Sequence, residues 1–215
     1  MPPELRVVED IPGAAVELFL AEEPRTIALS GGSTPAPVHE RLAQATYPWE
    51  DVQVFFGDER CVPPDHPDSN FGMAKRTLLD HVATNVHPMY ECDADGYERE
   101  LASVFGDGVP RFDLMFLGVG SDGHTASLFP GKPALEVDDR NVVYVPEPGL
   151  PPPDPRLTVT FRVLNNAKLV LFLVSGDDKR ERIQQMLRGG DIPAARVQAE
   201  RTIILADRAA GEGLE

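Results

Sequence analysis

The sequence predicts an α/β fold: an open, Rossmann-like, mostly parallel sheet with helices on both faces. Three observations predict it. Short apolar runs alternate with helix-patterned stretches along the chain. Several runs, such as Leu169-Val-Leu-Phe-Leu-Val174, are apolar at every position, as strands buried on both faces are. Glycines and serines then close the runs, where a strand has to turn towards a helix.

Strands are expected at 26–30, 52–56, 112–118, 142–145, 157–161, 169–175 and 202–205. Helices are expected at 14–21, 35–45, 72–82, 97–105 and 178–188. In the last of these, Arg180, Ile183, Met186 and Leu187 carry the 3–4 spacing of a half-buried helix. The 215 residues, 42% of them hydrophobic, suit one domain spanning 1–215. The proline-rich piece Glu147–Pro155 reads as a stiff loop inside that domain, because strand and helix patterns resume directly after it.

Composition narrows the function. A formal net charge of −15 argues against nucleic acid and anionic membranes as partners, since both repel an acidic surface. No apolar run approaches the ~20 residues of a membrane span, and the acidic, proline-bearing N-terminus does not read as a signal peptide. The expected location is the cytoplasm. Cys61 and Cys92 lack CxxC spacing and are expected to be two reduced thiols. An acidic chain that binds an anion must gather its cations locally, so arginines and lysines beside glycine-rich loops become candidates.

Four stretches carry such chemistry. In Ser30-Gly-Gly-Ser-Thr-Pro35 a strand runs into Gly31 and Gly32, then Ser33 and Thr34 as candidate N-caps, with Pro35 in the first helical turn. Free amides and the positive end of a helix dipole there suit an anion. In Gly57-Asp-Glu-Arg60 a strand ends on three consecutive charges, of which Arg60 can hold phosphate or carboxylate bidentately. In Gly118-Val-Gly-Ser-Asp-Gly-His124 the glycines spell GxGxxG. The helix such a dinucleotide fingerprint needs is cut short by Pro130, Gly131 and Pro133, so no nicotinamide or flavin site is expected. What remains is a glycine turn displaying Asp122, Gly123 and His124, a histidine suited to proton transfer beside a carboxylate that can orient it. The fourth stretch, Arg156-Leu-Thr-Val-Thr160 with the strand end Ser175-Gly176, adds Arg156 and Lys179. Taken singly, Lys179 reads as an ordinary surface lysine.

In order and spacing the four stretches, together with Asp68-Ser-Asn70, resemble the 6-phosphogluconolactonases within the glucosamine-6-phosphate isomerase/deaminase-like group. The resemblance implies hydrolysis of 6-phosphogluconolactone, the second step of the oxidative pentose phosphate pathway, without metal or other cofactor. It implies a phosphate site at Gly31, Gly32, Ser33 and Thr34 with Arg156 and Lys179 as its cations. It also implies His124 as the general base, Asp122 orienting it, and Arg60, Asp58 and Gly123 facing the substrate. Whether Arg60 serves phosphate or lactone stays open. The rival is an amino-sugar-phosphate isomerase or deaminase using Asp58 as base; that pattern has a glutamate where this chain has Phe129. A sugar-phosphate-binding module without catalysis needs the loop but not His124. The acidic surface and lack of a coiled coil lean towards a monomer.

Overall fold

Residues 2–89 and 91–214 are described in a computed structural model. Among the described residues ten strands form: β1 (Glu4–Val7), β2 (Thr26–Leu29), β3 (Gln53–Phe56), β4 (Asp58–Arg60), β5 (Asn85–Val86), β6 (Leu114–Leu117), β7 (Val142–Val145), β8 (Arg156–Val159), β9 (Leu169–Val174) and β10 (Arg201–Ala206). The helices are α1 (Ile11–Glu22), α2 (Pro35–Leu42), α3 (Asn70–Ala74), α4 (Ala94–Phe105), α5 (Phe161–Asn166), α6 (Arg180–Arg188) and α7 (Arg208–Gly211). Seven strands build a parallel sheet in the order β1-β10-β9-β6-β2-β3-β5. All residues of β6 and β9 are buried. Successive side chains of a strand point to opposite faces, so both faces of the sheet centre are covered.

The α/β class holds, with one regrouping. The expected strands at 142–145 and 157–161 leave the parallel sheet and form a second, antiparallel one in the order β4-β8-β7. Joining two neighbouring strands in parallel needs a crossover, usually a helix. The proline-rich link between β7 and β8 supplies none, so the two pair as antiparallel neighbours. Gly57 is the junction between the sheets. Its amide donates to Leu29 O in the parallel sheet (3.0 Å), and its carbonyl accepts from Val159 N beside the other (2.9 Å).

Local chemistry explains the helix ends. Asp10 and Asp93 cap α1 and α4 by accepting from Gly13 N and Gly96 N. The helix expected from residue 72 starts earlier, at Asn70, where Ser69 Oγ accepts from Gly72 N (3.0 Å); it continues as a π-helical turn over Lys75–Leu79. Among the described residues, no helix is long and apolar enough to cross a membrane.

The cysteines correct an expectation. Cys61 and Cys92, 31 positions apart, are joined in a disulfide, with Cα atoms 5.4 Å apart, inside the usual range for such a bond. Their sequence spacing carries no trace of the pairing, because the fold alone brings the end of β4 beside the segment after β5.

Buried His39 in α2 gives an acid-sensitive stability. Burial depresses its imidazole to about 4, and its Nε2 has no partner among the described residues. A histidine whose folded-state pKa is depressed is protonated more readily in the unfolded chain. Stability is therefore intact above about pH 6.5 and falls as the pH drops towards 4, by about 3 kcal/mol. Denaturant unfolding at pH 7 and pH 4 measures this loss. His39→Leu is expected to lose about 3 kcal/mol less than the parent across the same interval.

Candidate active site

In the parallel sheet the chain runs outward from β2 to β3 and β5 on one side, and from β6 to β9 and β10 on the other. The crevice beyond the carboxyl ends of β2 and β6 is thus a topological switch point, where open α/β sheets bind ligands. Two adjoining clefts lie there. One, of about 220 Å³, is lined by residues including Gly31, Gly32, Asp58, Arg60, Asn70 and His124. The other, of about 210 Å³, shares Gly31, Gly32, Gly118 and Val119 and adds Ser33, Thr34 and Lys179.

The turn after β6 presents the histidine. Gly120 N donates to His124 O (2.9 Å) and Gly123 N to Gly120 O (3.0 Å), closing a tight loop. Asp122 Oδ1 then accepts from His124 N (3.0 Å) and lies 2.6 Å from His124 Nδ1. A Cβ on Gly120 would stand 2.1 Å from His124 Nδ1, and Gly123, at φ +87°, backs directly onto Ile192. These glycines are demanded by close approach and by left-handed backbone respectively. The strand-and-turn segment ends in an isolated bridge between Thr125 and Leu128 rather than a helix. Phe129 lies beside the imidazole, with ring centroids 4.5 Å apart.

Asp58, 8% exposed, opens β4. Ser127 Oγ donates to its Oδ2 (2.6 Å), and Asn70 Nδ2 donates to its carbonyl (2.8 Å) and contacts Oδ1 (3.3 Å). Asn70 in turn lies where a Cβ on Gly31 would be, 1.7 Å from its Oδ1. Neighbouring Glu59 meets the same segment through a different set of donors. It accepts from the amides of Arg60, Asn70 and Phe71 and from Ser69 Oγ. Burial raises the Glu59 pKa, against the pull of those amides.

The cations divide. Arg60 lines the His124 cleft and donates to Asp68 O (2.6 Å). Lys179 lines the Ser33–Thr34 cleft, on a turn whose Gly176 amide is held by Asp207 (3.0 Å). Its Nζ also lies 3.2 Å from Asp178. Thr34 is the N-cap of α2, yet its side chain makes no capping bond. Arg156 departs from expectation. It pairs with Arg60 across β4 and β8, is 3% exposed, and lines neither cleft. Its Nη2 donates to Pro152 O (2.8 Å), while Nε and Nη1 have no partner among the described residues. Burial and the facing Arg60 push its pKa down. Strand pairing fixes it beside Arg60. Asn70 and Ser127 were not singled out as site residues; both lie inside quoted motifs, but only tertiary contact shows what they hold.

Residues 5–205 match the family model of glucosamine-6-phosphate isomerases/6-phosphogluconolactonase. A 6-phosphogluconolactonase of Synechocystis is 45% identical over 206 residues, 88% of this chain and 84% of that protein. Another, from Thermotoga maritima, is 37% identical over 92% of this chain and 90% of its own length. The crystal structure of a 6-phosphogluconolactonase from Thermotoga maritima superposes with a TM-score of 0.86 at 32% identity, covering 95% of this chain and 99% of that one. A monomeric glucosamine-6-phosphate deaminase shares the fold, with a TM-score of 0.81 at 18% identity over 96% of this chain and 98% of that one.

The Ser127 hydroxyl supports a buried carboxylate. Ser127→Ala is expected to lower unfolding free energy by about 1–3 kcal/mol, measured by denaturant titration near neutral pH.

Proposed function

Because the chain belongs to the glucosamine-6-phosphate isomerase/6-phosphogluconolactonase family, we propose that it hydrolyses 6-phosphogluconolactone to 6-phosphogluconate, with His124 activating the attacking water. The observation that carries this reading is the 2.6 Å contact between His124 Nδ1 and Asp122 at the wall of the switch-point cleft. With Nδ1–H donated to the carboxylate, Nε2 is the nitrogen left to take a proton.

Water adds to the lactone carbonyl as its proton passes to Nε2. Asp122 stabilises the resulting imidazolium. Negative charge grows on the former carbonyl oxygen, and Arg60 or the amides of the glycine turn, including Gly123, take it up. The intermediate then collapses, the ring C–O bond breaks, and the imidazolium returns its proton to the leaving oxygen. The phosphate is held at Gly31, Gly32, Ser33 and Thr34, with Lys179 as its point-charge partner. Asp58 faces the same cleft as a positioning group. Arg156, buried behind Arg60, acts on the substrate only through it.

The amino-sugar-phosphate reading is weaker on two counts. Ser127 and Asn70 engage both oxygens of Asp58, which competes with its use as a base. The phenyl ring of Phe129 occupies the place beside His124, where the deaminase pattern has a carboxylate. The proposal extends to a monomer working without a cofactor in the cytoplasm, where membrane-impermeant sugar phosphates are retained.

A coupled assay of acid release from fresh 6-phosphogluconolactone, run in parallel with glucosamine 6-phosphate, tests the assignment. Turnover of the lactone is expected, and turnover of the amino sugar alone overturns the reading. His124→Ala is expected to lower kcat by about 10²–10⁴-fold with little change in KM. Lys179→Ala is expected to do the reverse, raising KM about tenfold while kcat stays within about twofold.

A further inference from the structure

We propose that the Cys61–Cys92 disulfide is a redox switch on substrate affinity, opened by thiol–disulfide exchange with a dithiol reductant. The inference rests on the lactonase reading for its substrate, but its observations are separate from that chemistry. Cys61 directly follows Arg60 at the end of β4. A cleft of about 420 Å³ is lined by both cysteines, Glu59, Phe71 and Met89, and by Arg60, which also lines the His124 cleft. Both cysteines are half-buried, so the bond is reachable from this opening.

The covalent loop closed by the disulfide contains the residues that shape one side of the His124 cleft. Ser69, Asn70 and Phe71 hold Glu59 and Asp58 by hydrogen bonds, and Asn70 packs against Gly31. Asp68 O accepts from Arg60. In the folded chain the bond ties the end of β4 to the segment after β5 across 31 positions. At the far end, Glu91 and Cys92 hold φ values of +57° and +55°, a left-handed backbone that non-glycine residues keep only where their surroundings enforce it. Reduction removes one of the bonds that enforces it.

The chemistry balances without a metal or an external oxidant. One thiolate of the dithiol attacks a sulfur of the pair, and the other cysteine leaves as a thiolate. The dithiol's second thiolate then attacks the mixed disulfide. Cys61 and Cys92 gain two electrons and two protons, and the dithiol becomes a disulfide. With the loop released, Asn70 loses its fixed place against Gly31 of the phosphate loop, and the anionic substrate binds less tightly. Disulfides of reducing compartments are commonly catalytic or redox-sensing rather than structural.

The test titrates the whole protein with dithiothreitol, counting free thiols by alkylation while measuring steady-state kinetics. The air-oxidised protein is expected to show no free thiol and the reduced protein two. KM is expected to rise about 5–10-fold on reduction, kcat to stay within about twofold, and reoxidation to restore the first state. Cys61→Ser/Cys92→Ser is expected to sit at the reduced KM and ignore dithiothreitol. If that variant does not fold, the titration of the parent decides alone. Two free thiols in the air-oxidised protein, or one KM in both redox states, overturns the switch. Absence of lactone hydrolysis in either state counts against the lactonase reading instead. In that event the affinity for 6-phosphogluconate, measured calorimetrically in the two states, decides the switch: a 5–10-fold loss on reduction supports it and equal affinity overturns it.

Discussion

A carboxylate taken out of water costs several kcal/mol unless hydrogen bonds replace its hydration, and Asp58 sits almost wholly inside the protein. Its partners are Ser127, from the segment after the histidine turn, and Asn70, from the start of α3. Asn70 fits only because Gly31, in the loop after β2, carries no side chain. One buried carboxyl group thereby ties together four stretches distant in sequence: the loop after β2, the beginning of β4, the start of α3 and the segment around residue 127. Each of the four contributes to the lining of the His124 cleft, through Gly31, Asp58, Asn70 and Ala126.

The proposed phosphate site builds on that constraint. With a formal net charge of −15, long-range attraction of a sugar phosphate is not available to it. The site instead offers short-range donors. These are the amides of a glycine loop at the start of α2 and Lys179 on a turn braced by Asp207. Their loops are held by contacts to backbone or to a carboxylate, so their placement is set before a ligand arrives, which lowers the ordering cost of binding. In the other half of the crevice the glycines at 120 and 123 allow His124 and Asp122 to approach closely.

Much of this was legible in the sequence, for reasons that differ by element. The strands β2, β3, β6, β9 and β10 announce themselves because both their faces are buried, which leaves uninterrupted apolar runs. β1 escaped because Glu4-Leu-Arg-Val7 lies at the sheet edge and is mixed in character. β4 escaped because its three residues are all charged, and only pairing with β8 makes them a strand. Asp122 and His124 were readable because their contact is local, two positions apart. Arg156 was placed with the phosphate loop, whereas its position is set by cross-strand register, a long-range property that motif spacing does not encode. The cysteine pair was hidden for the same reason: contact across 31 positions is made by the fold.

The proposed function divides the crevice, with phosphate at the β2 loop and the reacting carbon at the β6 turn. A crystal structure of the protein with 6-phosphogluconate bound tests it most directly. Phosphate oxygens are expected within hydrogen-bonding distance of the Ser33–Thr34 loop and Lys179 Nζ, with the carboxylate of the product beside His124 Nε2. A phosphate held by Arg156 and Arg60, with His124 away from the carboxylate, would contradict it.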